Sequence, residues 1–437
     1  MGDGGMKRRY VAAAGLAVAL AVTATVAATV ASKAQGRPTA GKITVWLMDD
    51  AQKGWPDVVA AANRQFEAQH PGVQVDVQYQ QWTQHLTKLD AALAGGNAPD
   101  VTEFGNTETF KYMGAKALTP LNKKAYANSS TWVKGLEQSC HFNGKLYCVP
   151  YYAGARAVIY RKDYYRKAGI KSTPKSLNAF VADGRKLMKK FGKNPSFSAY
   201  YHPGKNWYVA MGYVYDYGGR IATYRGGKWH GALNSPQAIR GLTVLKSVVH
   251  ALSRASKTTD EAHPYPSIVM AKGNVASFIG SSWEWPYTLD PKVGNPKLDP
   301  VMGAYPMPSH HAGRMMPTLL GGSDLAIPVT SQNKGLARDW INAFTSTKNQ
   351  RTLIKETGWV PNTTKLISVL KTNPKAAPFA RAAASSFSVP PAANWANVES
   401  GNILQNMLSS IMTGRSSIKS ATNRASAQIT SILNAKT

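Results

Sequence analysis

From Lys42 onward the apolar positions of this chain alternate between two periods. Ile43 to Leu47 is a short apolar run of strand type, and Trp55, Val58, Val59, Ala62 and Phe66 then recur at helical spacing. Pro71-Gly72 stops that helix, after which Val73, Val75, Val77 and Tyr79 alternate as a half-buried strand. Trp82, Leu86, Leu89 and Leu93 mark a second amphipathic helix, closed by Gly95-Gly96, and Pro99-Asp100-Val101 opens a third strand. Further helices are predicted over 163–168, 175–191, 236–252, 332–346, 395–412 and 416–433, with a strand over 276–279. The stretch 283–317 holds seven prolines and reads as irregular.

Strands alternating with helices predict an α/β protein with a mainly parallel sheet. In such sheets ligands sit beyond the carboxyl ends of the strands. Asp49 and Asp50, after the first strand, and Glu103, Asn106 and Thr107, after the third, are therefore candidate ligand residues. Asn106 and Thr107 could equally be helix caps.

The first residues change the picture of where the protein works. Met6-Lys7-Arg8-Arg9 is a positive n-region, Tyr10 to Ala31 is almost unbroken Ala, Val, Leu and Thr, and Ser32-Lys33-Ala34 offers small residues to a signal peptidase. Residues 1–34 are read as a signal peptide of an exported protein, with an uncleaved anchor as the other reading. No cysteine lies near the end of the apolar stretch, so a lipid anchor at that point is not expected.

The two cysteines, Cys140 and Cys148, flank Phe142-Asn143-Gly144-Lys145, and Asn-Gly is a hairpin-turn signal. A disulfide across paired strands suits an exported chain, and two buried free thiols are the alternative. The net charge is +29, or +26 without residues 1–34. The cations are scattered and no nucleic-acid module is recognisable, so a solvated basic surface with an affinity for anionic wall or membrane is expected rather than nucleic-acid binding.

The order of several short motifs carries a resemblance. Ile43-Thr44-Val45-Trp46, Pro71-Gly72-Val73 and Ala98-Pro99-Asp100-Val101 come first, followed by Glu103-Phe104-Gly105-Asn106-Thr107 and Gly144-Lys145-Leu146-Tyr147. Val149-Pro150-Tyr151-Tyr152, Tyr160-Arg161-Lys162-Asp163, Gly280 to Trp283, and Gly321-Gly322-Ser323-Asp324-Leu325-Ala326-Ile327-Pro328 continue the series. In this order and spacing the chain resembles the extracellular solute-binding proteins of family 1, the maltose-binding-protein-like receptors of ABC importers, most closely their actinobacterial sugar-binding branch.

That resemblance implies a type II periplasmic-binding-protein-like fold with a ligand cleft between two lobes. The first lobe would comprise 42–153 plus 321–372, and the second 154–320 plus 373–437, with Ala153, Gly154 and Gly321 at the hinge. It further implies an extracellular or cell-surface monomer that binds a small carbohydrate and hands it to the transmembrane subunits of an importer, with no cofactor, no metal and no catalytic residue. The sugar implied is a di- or oligosaccharide of N-acetylglucosamine or chitobiose type, with xylobiose, cellobiose or maltodextrin as other choices.

A sugar needs aromatic planes for its C–H faces and bidentate polar groups for its hydroxyl edge. Trp283, after the 276–279 strand, and Trp395, ahead of a C-terminal helix, match the family's stacking positions, and Trp207 matches a third. Trp46 lies within its strand and reads as core. Tyr152 and Arg156 flank the first crossing, and Gly322, Ser323 and Asp324 line the other. The competing reading is a secreted glycoside hydrolase using Glu103 and Glu284, and a third is a basic surface adhesin.

Overall fold

The computed structural model describes residues 41–436, so the proposed signal segment lies outside the described residues. The chain enters through strand β1 (Gly41–Met48), short helix α1 (Asp49–Gly54) and helix α2 (Pro56–Gln69), then β2 (Val73–Gln80), α3 (His85–Ala94), β3 (Val101–Gly105) and α4 (Thr109–Gly114). Pro56 opens α2 where its missing N–H is harmless. Ile43, Val45 and Leu47 are fully buried on one face of β1 and pack with Val58, Ala62 and Phe66 of α2.

After a hairpin the chain runs through β4 (Cys148–Gly154) and β5 (Arg156–Arg161), then α5 (Lys162–Lys167), α6 (Leu177–Phe191), α7 (Trp207–Asp216) and α8 (Pro236–Leu252). Next come β6 (Ser277–Ser281), α9 (Glu284–Leu289), β7 (Met302–Tyr305), β8 (Gly321–Ala326), α10 (Lys334–Phe344), α11 (Thr347–Thr357) and β9 (Val360–Pro361). Helices α12 (Trp395–Ser400), α13 (Ile403–Met412) and α14 (Ile418–Leu433) end the fold. Among the described residues no helix is long and apolar enough to cross a membrane.

Two sheets organise these elements. The larger has six strands in the order β9-β4-β8-β3-β1-β2, and the smaller three in the order β6-β5-β7. The expected mainly parallel sheet is only half realised: β1 runs parallel to β2 and β3, whereas β8 runs antiparallel to both β3 and β4. The reason is connectivity. The chain leaves the larger sheet at Gly154, enters the smaller at Arg156, and returns through β8 from the opposite direction. After β9 it passes once more to the smaller sheet, where Phe379 packs with Ile159 and Phe278.

Local signals explain most remaining differences from the sequence pattern. Helix α8 spans the predicted 236–252, capped by Ser235 and opened by Pro236. Helix α6 starts at Leu177 rather than 175 because the Ser176 hydroxyl accepts from the Ala179 amide at 3.2 Å. The single helix predicted over 395–412 is two, broken at Gly401-Asn402, where Asn402 adopts a left-handed φ of 53°. The proline-rich stretch 283–317 is not wholly irregular, since it contains α9 and β7.

The hairpin is as the turn residues require: Asn143 and Gly144 have φ of 48° and 76° between paired strands His141–Phe142 and Lys145–Leu146. It brings Cys140 and Cys148 to a Cα separation of 4.8 Å, and they are joined as a fully buried disulfide. Replacing both cysteines by serine is expected to lower stability by about 2–3 kcal/mol, as chain entropy for so short a loop suggests. A urea melt of the double variant against the parent measures it.

Candidate functional site

The carboxyl ends of β1 and β3 and the strand pair β4–β8 converge at one end of the larger sheet. Glu103, in β3, is buried there, accepting from the Met48 amide at 2.8 Å and from the Tyr152 hydroxyl at 3.5 Å. The Ser323 hydroxyl donates to that of Tyr152 at 3.2 Å, closing a chain of hydrogen bonds across β3, β4 and β8. Tyr152 also lies against Trp359, ring centroids 4.0 Å apart, and Trp55 packs on both.

Beside this group the first turn of α1 presents two carboxylates. Asp50 accepts from the indole N–H of exposed Trp82 at 2.6 Å, and Asp49 accepts from Gln81 at 3.2 Å while pairing with Lys53. Burial raises the Asp50 pKa against the opposing Trp82 hydrogen bond.

The smaller sheet contributes the facing residues. Trp283 follows β6 directly and stands edge-on to Tyr265 and Tyr287, at centroid distances of 5.2 and 5.4 Å. Tyr265 and Tyr287 are unusual in leaving large aromatic surface exposed. Burial raises the Tyr265 pKa, and Tyr287, Glu284, Asp50 and Glu261 add to the rise, so this aromatic trio lies within electrostatic reach of carboxylates from both sheets.

Arg156 sits between the sheets at the first crossing. Its guanidinium donates to the Leu319 carbonyl at 3.2 Å and lies 4.5 Å from the ring centre of Tyr208. Burial lowers its pKa, opposed by Tyr208, Glu261 and Glu284. Glu284 is buried and accepts from the Ser267 amide at 3.2 Å. On the other side Thr107 donates to Glu399 of α12 at 3.1 Å.

The structure brings Asp49, Asp50, Glu103, Tyr152 and Ser323 together, with Arg156, Thr107 and Trp283 on neighbouring elements. Asn106 is not a helix cap; its side chain donates to the Leu320 carbonyl at 2.9 Å and so ties β3 to the returning chain. Trp207 and Trp395 are fully buried, 6.1 Å apart, with Trp207 4.3 Å from Tyr208. Trp395 Nε1 stands beside the Glu399 carboxylate yet makes no hydrogen bond of normal geometry.

Asp324 is not in this group. Strand alternation turns it to the face opposite Ser323, where Thr109 and Ser139 donate to it at 3.0 and 3.1 Å. It also neighbours Cys140 and Cys148, but their sulfurs are bonded to each other and offer a metal no thiolate.

Gly322 has a steric reason: a Cβ there would lie 2.0 Å from the Tyr152 carbonyl oxygen. Gly154 and Gly321 pair with each other, and a Cβ on either would meet nothing closer than 3.5 Å. Trp46 stays in its strand, partly buried against the core, its indole donating to Gln78 at 3.0 Å.

Tyr208, Glu261, Tyr265, Tyr287 and Glu399 were missed by the sequence pattern. Only Glu399 carried a signal, one helical turn after Trp395 and therefore on the same face.

A two-sheet α/β receptor whose connecting strands cross between the sheets, with aromatic rings and carboxylates gathered at the crossing, defines the class as a solute-binding protein of the type II periplasmic-binding-protein-like fold. The chain belongs to the bacterial extracellular solute-binding protein family, which it matches over residues 46–351. It is 33% identical to the diacetylchitobiose binding protein DasA of Streptomyces coelicolor over 416 residues, 94% of this chain and 95% of that one. The GacH receptor of Streptomyces glaucescens shares the fold at a TM-score of 0.76 and 20% identity, covering 91% of this chain and 100% of that one. The sugar-binding protein MalE of Xanthomonas citri does so at 0.75 and 20%, covering 90% and 97%.

Burial raises three carboxyls of the site: Glu103 to about 7, and Glu284 and Glu399 to about 8. In the unfolded chain glutamates ionise near pH ~4.3. Between these limits these three groups bind more protons in the folded protein than in the unfolded one, so their contribution to stability falls as pH rises through the window. The ligand-free protein is expected to melt at higher temperature at pH ~5 than at pH ~8. Glu→Gln replacement at all three positions should flatten that slope, which differential scanning calorimetry reads directly.

Proposed function

We propose that this protein is the extracytoplasmic substrate-binding component of an ABC importer, and that its solute is a small oligosaccharide of the N-acetylglucosamine or chitobiose type. The observation that carries the reading is the partly exposed Trp283–Tyr265–Tyr287 group, within electrostatic reach of the carboxyls of Asp50, Glu261 and Glu284. Rings stack on the C–H faces of a pyranose, and carboxylates accept from its hydroxyls. Full-length similarity to a diacetylchitobiose binding protein supports the choice of sugar.

One further feature favours a polar ligand here. Ser282 Oγ is buried without a hydrogen-bond partner in the protein, and an unmet buried polar group costs roughly 1–3 kcal/mol. A ligand hydroxyl or acetamido group offers this atom a partner. In this reading the lobes are 42–153 plus 321–372 and 154–320 plus 373–437, hinged at Ala153, Gly154 and Gly321. Closure by rotation about β4 and β8 would bring Arg156, Thr107 and Asn106 to the ligand.

The reading is one of capture rather than catalysis. Glu103 is occupied by the Met48 amide and Glu284 by that of Ser267, which suits carboxylates that hold position. Calorimetric titration with chitobiose, N,N′-diacetylchitobiose, cellobiose, xylobiose and maltose tests it. One saccharide should bind with little dependence on salt, and Trp283→Ala should weaken it about tenfold or more, as loss of a stacked ring implies. A saturating ligand at a hundred times its Kd should stabilise the fold by about 2.7 kcal/mol. Release of reducing ends that disappears in Glu103→Gln would instead establish a hydrolase.

A further inference from the structure

The basic residues are not spread evenly over the surface. Between residues 162 and 193 the chain carries ten lysines and arginines against two acids, Asp163 and Asp183. All ten cations are exposed, while both acids are half-buried and already paired, Asp163 with Arg161 and Asp183 with Lys186.

Packing gathers the two helices of this stretch into one surface. Tyr164 of α5 lies 4.8 Å from Phe191 at the end of α6 and 5.3 Å from Phe197, and its hydroxyl donates to the Gly273 carbonyl. Asn194 donates to Asn274 at 3.0 Å. Arg166 and Lys167 of α5, Lys189, Lys190 and Lys193 at the end of α6, and Lys272 are therefore carried on segments that meet at Tyr164. Lys162 is set apart, within electrostatic reach of Asp299.

A solvated helix face does not account for this density. Leu177, Phe180, Gly184 and Leu187 bury one side of α6, and the other places Arg185 and Lys189, and Lys186 and Lys190, at i,i+4 spacing. Each such like-charge pair destabilises a helix by about 0.2–0.5 kcal/mol. The helix dipoles favour the cations of the last turns, Arg166 and Lys167 of α5 and Lys189 and Lys190 of α6, and Lys186 is paired with Asp183, but Arg185 and Lys193 have neither reason to be there.

From this patch we infer that the face formed by α5, the end of α6 and the 272–274 turn docks on an anionic phospholipid bilayer. Charge complementarity supplies the attraction, worth most within a Debye length of the surface. None of the large apolar side chains exposed among the described residues lies in the patch, which lacks both a wedge for bilayer insertion and rings for stacking bases. The face therefore rides on headgroups and holds the receptor beside a membrane while the ligand site stays independent of it. Of the preceding reading, the proposal uses only the extracytoplasmic setting.

Co-sedimentation of the full chain with phosphatidylglycerol vesicles, compared with phosphatidylcholine vesicles, tests the inference. The neutral vesicles measure any uptake through apolar segments. Excess binding to phosphatidylglycerol that falls with added salt is expected. A variant carrying Arg166→Gln, Lys189→Gln, Lys190→Gln and Lys193→Gln should lose that excess by at least about tenfold. A control carrying Lys348→Gln, Lys355→Gln, Lys365→Gln and Lys371→Gln, with equal charge removed elsewhere, should keep it. Equal losses in both variants, retention in the patch variant, or no excess in the parent would overturn the inference.

Discussion

Everything in this molecule that bears on ligand capture hangs on the pairing of β4 with β8. These are the strands through which the chain leaves the larger sheet and comes back to it, and their register sets Gly321 against Gly154, Gly322 against Ala153 and Ser323 against Tyr152. The approach is close enough that a methyl group at Gly322 would strike the backbone. From that one contact follow the antiparallel half of the sheet, the Ser323–Tyr152–Glu103 hydrogen bonds, and the position of Arg156 against the Leu319 carbonyl. Asn106 and the Leu320 carbonyl add a third tie at the same place.

Burial makes this crossing electrostatically unlike the rest of the protein. The chain has 52 cationic residues and only 23 acidic ones, yet Asp49, Asp50, Glu103, Glu261, Glu284 and Glu399 all lie at or near the crossing. Desolvation pushes five of these, Asp50, Glu103, Glu261, Glu284 and Glu399, toward the neutral form. A neutral carboxyl both donates and accepts, which matches the mixed donor and acceptor edge of a saccharide better than a fixed charge does. Arg156, whose guanidinium donates to the Leu319 carbonyl, places a positive charge within electrostatic reach of Glu261 and Glu284.

How much of this was legible in the sequence depended on the range of the interaction. Period, caps and turns are local, so the limits of α8, the Asn143-Gly144 hairpin and its disulfide could be read directly. Sheet direction is not local: nothing in Gly321 to Ala326 says that β8 arrives from another sheet, and the parallel expectation failed there. The face of a residue in a two-residue alternation is equally invisible until the register is known, which is why Asp324 was grouped with Ser323 and lies opposite it. Tyr208, Tyr265 and Tyr287 sit on elements whose meeting is set by the crossing strands, and no spacing in the chain connects them to Asp50 or Glu399.

The separation of charge between surface and site has a mechanical consequence. A receptor that bound its solute by net charge would compete with its own basic exterior for anions and would release ligand as salt rose. A site built from ring faces and hydrogen-bonding carboxyls, taking an uncharged saccharide, depends little on either. Cations are therefore free to accumulate on α5 and α6, where Tyr164 fixes the two helices together. The carboxylates can be concentrated where low polarity strengthens each hydrogen bond they make. The same imbalance of residues that suggests a nucleic-acid protein in a composition count is, once folded, two surfaces with different solvents and separate work.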